Sequence, residues 1–198
     1  MNWTFANLIQ LAWETVRNPR EGASTVLNFA PPRGAIWYLL VLVVVLSVLV
    51  AQTTTFLAGG PDNMVGPFQM SPFALCFVQA GLLVVMIYAT FWIGKAFGGR
   101  GSLEETMLLI TWLQFILVLF QALQTISLII LPPFAGLIGI AAMVMFFWLL
   151  VNFVAILHGF SSLGLVFTGI ILSFFGVGFG LALILMLIGI TPGVAAYV

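Results

Sequence analysis

The sequence is short of charge. Its 198 residues include five Lys or Arg and five Asp or Glu, so 5% are charged, whereas a soluble domain carries about 25%. Hydrophobic residues make up 63%, and the mean hydropathy is +1.28. Such a chain cannot cover a water-facing surface with polar groups. Most of its surface must therefore face lipid.

Other absences exclude further classes of protein. Cys76 is the single cysteine, so an intramolecular disulfide is impossible. The net charge is zero, which leaves no basic surface for nucleic acid. The first eleven residues lack the basic stretch and long apolar run of a secretory signal, and we expect the first span to direct insertion.

Five long apolar stretches are present, each long enough to cross the hydrocarbon core. They occupy residues 35–56, 73–93, 107–131, 134–157 and 163–188. Turn residues separate them, including those of 58–72 and the pair Pro132-Pro133. The sequence predicts an all-α polytopic membrane protein, a bundle of five transmembrane helices in residues 35–190. Residues 1–34 precede the bundle, and residues 191–198 form a short external tail.

The segment before the bundle is amphipathic. Residues 2–17 place Trp3, Phe5 and Trp13 on a broad apolar helical face opposite polar residues. We predict a cytoplasmic helix lying in the membrane interface; packing of its apolar face on the bundle is equally compatible with the pattern. Residues 21–34 are interpreted as a short connector.

The positive charges predict the orientation. All five lie before the first span or between the second and third: Arg17, Arg20, Arg33, Lys95 and Arg100. The positive-inside rule makes that side cytoplasmic. With five spans, the N-terminus is then cytoplasmic and the C-terminus lies on the opposite side.

Residues with catalytic potential are few. Ser102 and Glu105 match a capping box that would begin the third transmembrane helix, so Glu104 and Glu105 are interpreted as helix-start carboxylates. His158 is the single histidine, and it ends the fourth helix. One histidine cannot form a metal site without partners. We predict no catalytic, cofactor-binding or metal site.

Polar residues within the spans are the candidate functional residues. On the third helix Thr111, Gln114, Gln121 and Thr125 share one side, with Gln124 at its edge; Gln79 lies in the second span and Asn152 in the fourth. Polar side chains in hydrocarbon seek partners in the bundle interior. They either hydrogen-bond between helices, which we favour because no embedded carboxylate accompanies them, or line a path for a substrate.

Small residues form a second candidate contact, on the fifth helix. Gly169 and Ser173 are four residues apart, as are Gly176 and Gly180. Small residues at this spacing let helix backbones approach closely. Packing within the chain is favoured over contact with a second copy or another protein.

Three short stretches resemble a known family. The connector reads Phe97-Gly98-Gly99-Arg100-Gly101-Ser102-Leu103-Glu104-Glu105, the segment before the bundle includes Trp13-Glu14-Thr15-Val16-Arg17-Asn18-Pro19-Arg20-Glu21, and the fourth helix ends His158-Gly159-Phe160-Ser161. Together they resemble bacterial members of the Yip family of integral membrane proteins. The resemblance implies five spans in a bacterial inner membrane, a cytoplasmic N-terminus, a periplasmic C-terminus and no assigned reaction.

Two functions remain open. The first is a non-enzymatic membrane protein of Yip type that organises the membrane or acts as a scaffold for partners. The second is a small permease or lipid-handling transporter that uses the polar residues of the third helix. A cavity reaching Gln114, Gln121 and Asn152 would favour transport, whereas a dry, closed bundle would favour the scaffold.

Overall fold

The computed structural model describes residues 4–59 and 71–187. Within these ranges the chain consists of helices joined by short turns. The helices are α1 (Phe5–Arg17), α2 (Pro19–Phe29), α3 (Arg33–Leu57), α4 (Pro72–Ala96), α5 (Leu103–Ile130), α6 (Pro132–His158) and α7 (Leu163–Leu187). The all-α prediction is confirmed. Most of the predicted 58–72 loop and all of the 191–198 tail lie outside the described residues.

Five of these helices, α3 to α7, are long and apolar enough to cross a membrane, as predicted. Helices α3 to α6 begin one to four residues before the predicted apolar runs, because the residues before those runs are helical as well, whereas α7 begins at the predicted residue. Pro72 and Pro132 occupy the first turns of α4 and α6, where a missing N–H costs nothing. Leu131 alone separates α5 from α6, so Pro132-Pro133 starts a helix as well as making the tight turn.

The capping box at the start of α5 is confirmed. The Ser102 backbone N–H donates to Glu105 Oε2 over 2.7 Å, and the Glu105 N–H donates to Ser102 Oγ over 3.2 Å. This reciprocal pair satisfies two N–H groups that the helix leaves free. It places the start of α5 four residues before the predicted apolar run.

The connector of residues 21–34 is a correction to the sequence analysis, because most of it is helical. Helix α2 begins with Pro19 at its first position and buries Pro19, Gly22, Ala23 and Val26. These residues recur at the i, i+3, i+4, i+7 spacing of a helical face. The face was not recognised as apolar because a glycine and an alanine supply half of it.

Helix α1 packs on the bundle through one face and leaves another exposed. Leu11, Ala12 and Thr15 are buried, whereas the side chains of Phe5 and Trp13 are 71% and 57% exposed. Thr15 Oγ1 accepts a hydrogen bond from Trp112 Nε1 of α5 over 3.3 Å. The face of α1 that carries Thr15 therefore packs on the bundle. Interfacial insertion stays a prediction for the Phe5–Trp13 edge.

The tightest packing lies at one end of the bundle, which we name the connector end because the α4–α5 connector (residues 97–102) lies there. Helices α5 and α6 have the most extensive contact, and α2 packs on both. Residues 106–113 of α5 and 149–155 of α6 are buried. At the opposite end, by contrast, Ile129, Phe134 and Leu137 are exposed.

Arg33 and Arg100 lie at the same end of the bundle. Arg33 Nε is 3.5 Å from Glu104 Oε1, at the start of α5, and both side chains are well exposed. An exposed ion pair contributes little stability. This pair nevertheless places Arg33 beside the start of α5, and Arg100 is only two residues before Ser102, the N-cap of that helix. Two of the five cationic residues used to predict the orientation, Arg33 and Arg100, are therefore close in space.

Candidate functional site

The α4–α5 connector is held by a Schellman turn. The Gly99 N–H donates to the Gly94 carbonyl over 2.8 Å, and the Gly98 N–H donates to the Lys95 carbonyl over 2.9 Å. Gly98 has φ +84°, in the left-handed region that this motif requires and glycine adopts without strain. Lys95 Nζ also donates to the Arg100 carbonyl over 3.4 Å. Gly98 and Gly99 thus end α4 and turn the chain towards α5.

The end of α6 uses the same motif. The Phe160 N–H donates to the Ala155 carbonyl over 2.9 Å, the Gly159 N–H donates to the Ile156 carbonyl over 3.3 Å, and Gly159 has φ +75°. The turn is tight, so it brings the Phe160 ring back over His158. Their ring centroids are 5.6 Å apart and their planes differ by 28°.

His158 is the centre of a buried group that we name the histidine cluster (Thr90, Gly94, Gly99, His158 and Phe160). The side chain of His158 is 2% exposed. Its Nε2 lies 3.2 Å from the Thr90 carbonyl; a carbonyl can only accept, so Nε2 carries the proton and donates. Gly94 and Gly99 lie against the ring so closely that a Cβ on either would overlap it.

One atom of this cluster lacks a partner. His158 Nδ1 is buried with no hydrogen bond among the described residues. In the neutral ring it is an acceptor, because Nε2 holds the proton. No group of three or more potential metal ligands occurs in the described part of the chain. The cluster is thus a packing centre that joins α4, the connector and α6.

The connector touches α6 at a second place. A Cβ added to Gly101 would lie 2.6 Å from Leu157 Cγ and 2.9 Å from the Leu157 carbonyl oxygen. Glycine is therefore required at Gly99 and Gly101 by the closeness of α6, while Gly98 is required by its backbone angle. Arg100, between these two glycines, is exposed. Gly98, Gly99 and Gly101 are predictable from the sequence as a turn, whereas Gly94, which precedes a lysine at the end of a span, is not.

The polar residues of α5 and of the neighbouring helices differ in burial and in their partners. Thr111 and Thr125 are buried, and Gln114 and Gln121 are half-buried. Asn152, on α6, donates from Nδ2 to the Trp148 carbonyl of its own helix over 2.8 Å. Gln79, on α4, is half-buried.

Two of the remaining polar residues pack against other helices. The hydroxyls of Thr54 and Thr125 are 2.5 Å apart and join α3 to α5. Gln124 packs on α6, where a Cβ at Gly139 would lie 3.0 Å from its Nε2. Thr111 Oγ1, by contrast, has no hydrogen bond among the described residues. Interhelical bonding is thus present at Thr125.

The Thr54–Thr125 bond gives a measurable prediction. Replacing either threonine by valine keeps the shape and removes the hydroxyl. Hydrogen bonds between transmembrane helices average about 0.6 kcal/mol in double-mutant cycles, so we expect a coupling of that size in the free energy of unfolding in bicelles. Exposed Thr53→Val, paired with Thr125→Val, is the control and should show no coupling. Equal coupling in both cycles would refute the assignment.

The small residues of α7 do not make the close helix contact that their spacing suggests. A Cβ added to Gly169, Gly176 or Gly180 would meet no atom of the described residues within 4 Å. Ser173 Oγ donates to the Gly169 carbonyl of its own helix over 2.6 Å. Helix α7 contacts α6, and α4 to a smaller extent. Contact of this face with a protein partner stays a prediction.

A comparison with protein families matches the Yip1 domain over residues 13–195. The chain belongs to the Yip1 domain family. The match covers α2 to α7 and the end of α1, so the Yip1 domain includes the helix that the sequence analysis interpreted as a connector. No curated protein and no solved structure matches the chain.

Family membership and five apolar helices make this Yip1 domain protein a multi-pass integral membrane protein. The resemblance drawn from the sequence is confirmed for the family, while its bacterial branch stays a prediction. In this Yip1 domain, two of the three resembling stretches are in contact: the connector lies against the end of α6 through Gly99 and Gly101. The third stretch forms the junction of α1 and α2.

Proposed function

We propose that this Yip1 domain protein is a non-enzymatic membrane scaffold that presents its connector end to protein partners in the cytoplasm. The grouping of cationic side chains at that end supports this orientation through the positive-inside rule. Because the number of spans is odd, the C-terminus then lies on the opposite side of the membrane from the N-terminus. We assign the protein to a bacterial inner membrane, with a periplasmic C-terminus, on the resemblance described above.

The observation that carries the proposal is the way α1 and α2 are attached. Their small and apolar face is buried against each other and the bundle, while Arg20, Ser24 and Asn28 on the outer face of α2 are exposed. A polar helix held rigidly on a membrane bundle supplies a fixed binding surface, because ordering it costs a partner no entropy.

The alternative, a permease or lipid-handling transporter that uses the polar residues of α5, receives less support. Of two cavities between the described helices, neither is lined by Gln79, Gln114, Gln121 or Asn152. The smaller cavity, about 260 Å³ between α3 and α5, reaches only Thr53 and Thr125 among polar residues. A path for a polar substrate would need these amides to converge on one space.

The scaffold is tested by photo-crosslinking of the full chain in native membranes. A photoreactive amino acid at Ser24, on the exposed face of α2, is expected to yield discrete protein adducts. Reversing the charge of the neighbouring Arg20 (Arg20→Glu) should reduce their recovery about tenfold, the change that ~1.4 kcal/mol of lost affinity produces.

The matched control places the same photoreactive group at Ile129, which is 66% exposed at the opposite end of the bundle. It should yield lipid adducts and none of the Ser24 protein adducts. If Ser24 yields lipid adducts only, or if both positions give the same protein adducts, the scaffold proposal is wrong.

A further inference from the structure

The surface of α1 is divided lengthwise into three sectors. The first sector is buried against α2 and the bundle, and it consists of Leu11, Ala12 and Thr15. The second is apolar and exposed, and its residues Phe5, Ile9 and Trp13 form the Phe5–Trp13 edge. The third is polar and exposed, and it consists of Gln10, Glu14 and Arg17. Each sector runs along the helix because its residues recur every three to four positions.

The three sectors face three directions. Successive helical residues are about 100° apart, so the Phe5–Trp13 edge is centred about 110° from the buried sector, and the polar sector lies about 110° farther round. A helix on the surface of a soluble protein has two environments, the core and water. The third direction of α1 needs a third environment. At the end of a membrane bundle that environment is lipid, because water and acyl chains both border the protein there.

Side-chain contacts mark the boundary between the polar sector and the Phe5–Trp13 edge. Within the polar sector, Gln10 Nε2 donates to Glu14 Oε1 over 2.9 Å. Where the two sectors meet, the Arg17 guanidinium lies 4.9 Å from the centroid of the Trp13 ring. Tryptophan is enriched at the membrane–water interface, and an arginine beside it extends its charge to the lipid phosphates. This pair of residues therefore indicates the level of the lipid headgroups.

The contact of α1 with α5 shows where that level lies on the bundle. Thr15 is hydrogen-bonded to Trp112, which is nine positions after Leu103, the first residue of α5, a rise of about 14 Å. Helix α5 has 28 residues and is about 42 Å long. Crossing about 30 Å of hydrocarbon at a tilt of about 20° takes only about 32 Å of helix. About 10 Å of α5 therefore lies outside the hydrocarbon.

The excess length of α5 lies at the connector end. Residues 106–113 are buried by protein, so this part of α5 makes little contact with lipid. At the other end, Ile129 and Ile130 are 66% and 69% exposed, and exposed isoleucine is typical of a helix segment that faces acyl chains. The level indicated by Trp112 and the level indicated by the length of α5 thus agree.

We infer that α1 lies along the membrane surface at the connector end, with the Phe5–Trp13 edge inserted among the acyl chains and the hydrocarbon beginning near Trp112 of α5. Helix α1 is held at this surface because α2 alone separates it from the first spanning helix, α3. The connector and the histidine cluster then stand at headgroup level, outside the hydrocarbon. This inference does not depend on the scaffold proposal, which concerns the outer face of α2.

Spin labels on the full chain, reconstituted in phosphatidylcholine vesicles, test the insertion of the edge. In a Cys76→Ser chain, a nitroxide at Ile9→Cys should lie about 5–10 Å below the headgroup level. There it collides with dissolved oxygen but not with a water-soluble nickel chelate. The matched control is Gln10→Cys, one residue along and about 100° round the same helix. Its nitroxide should collide mainly with the nickel chelate, because the polar sector faces water.

A second pair of labels tests the level at which the hydrocarbon begins. Arg33 Nε is 3.5 Å from Glu104 Oε1, so α3 and α5 begin at a similar level. Tyr38 is 79% exposed and lies about 8 Å along α3, so a nitroxide at Tyr38→Cys should be accessible to the nickel chelate. Leu49 is 58% exposed and lies about 24 Å along α3, so a nitroxide at Leu49→Cys should be accessible only to oxygen.

The inference is wrong if the Ile9 label is as accessible to the nickel chelate as the Gln10 label, because the edge would then face water. It is also wrong if the Ile9 label is shielded from oxygen and nickel alike, because a protein partner or a second copy would then cover the edge. Shielding of the Tyr38 label from nickel to the same extent as the Leu49 label would contradict the assigned level of the hydrocarbon.

Discussion

Replacing Gly94 by alanine is expected to destabilise the protein by about 3 kcal/mol, the upper part of the range for overpacking a core. A Cβ at this position overlaps the His158 ring, which Gly99 blocks on another side and Phe160 covers. The ring therefore has no free rotamer to adopt without opening the contact between α4 and α6. Unfolding the protein in bicelles with a denaturing detergent measures the decrease in its free energy of unfolding.

The control for this prediction lies in the same helix. Gly81→Ala meets nothing within 4 Å and should be neutral or stabilise the protein by up to about 1 kcal/mol through helix propensity. His158→Ala should rescue Gly94→Ala in a double-mutant cycle, with a coupling of about 2 kcal/mol. Equal effects at Gly81 and Gly94, or the absence of coupling, would show that the histidine cluster does not join these helices.

Replacing Gly22 by alanine is expected to separate α1 from α2. The new Cβ would lie 2.7 Å from the Thr15 Cα, and a backbone atom cannot move aside as a side-chain tip can. We expect a local cost of about 3 kcal/mol, although alanine favours the helix more than glycine does. The loss of packing also breaks the Trp112–Thr15 hydrogen bond.

Maleimide labelling of Ala12→Cys, in a chain whose single cysteine has been replaced (Cys76→Ser), measures this separation. Ala12 is 3% exposed, so labelling should be slow in the parent and faster by about a hundredfold with Gly22→Ala, as ~3 kcal/mol implies. Gly34→Ala at the start of α3 meets no neighbour and should leave labelling slow. Unchanged labelling in Gly22→Ala would contradict the packing of α1 on α2.

The spans could be predicted from the sequence because their signal is local. An apolar run long enough to cross the hydrocarbon core must be helical there, since lipid offers no partner to backbone groups. The start of α5 was also predictable, because Ser102 and Glu105 form a capping box between neighbouring residues. Helix α2 was not predictable in this way, because Gly22 and Ala23, which supply half of its buried face, are too small to give a clear apolar pattern.

The candidate sites were less predictable, since they depend on which helices meet. Gly98 and Gly99 are predictable as a turn, but the contact of Gly99 with His158 joins residues about sixty positions apart. The spacing of Gly169 and Ser173 suggested close helix packing, yet the face of α7 that carries them borders a groove between α4, α6 and α7. Small residues permit close approach; whether a helix approaches is decided by its neighbours.

The sequence by itself determined that the chain lies in lipid and that five helices are long and apolar enough to cross it, because hydropathy acts on each segment separately. Only the tertiary structure decided that α1 and α2 pack on the bundle, that the connector closes on His158, and that α7 leaves a groove. These features depend on contacts between segments that are distant in sequence. The free energy of such contacts is set by how the segments fit together, and that fit is not a property of any single segment.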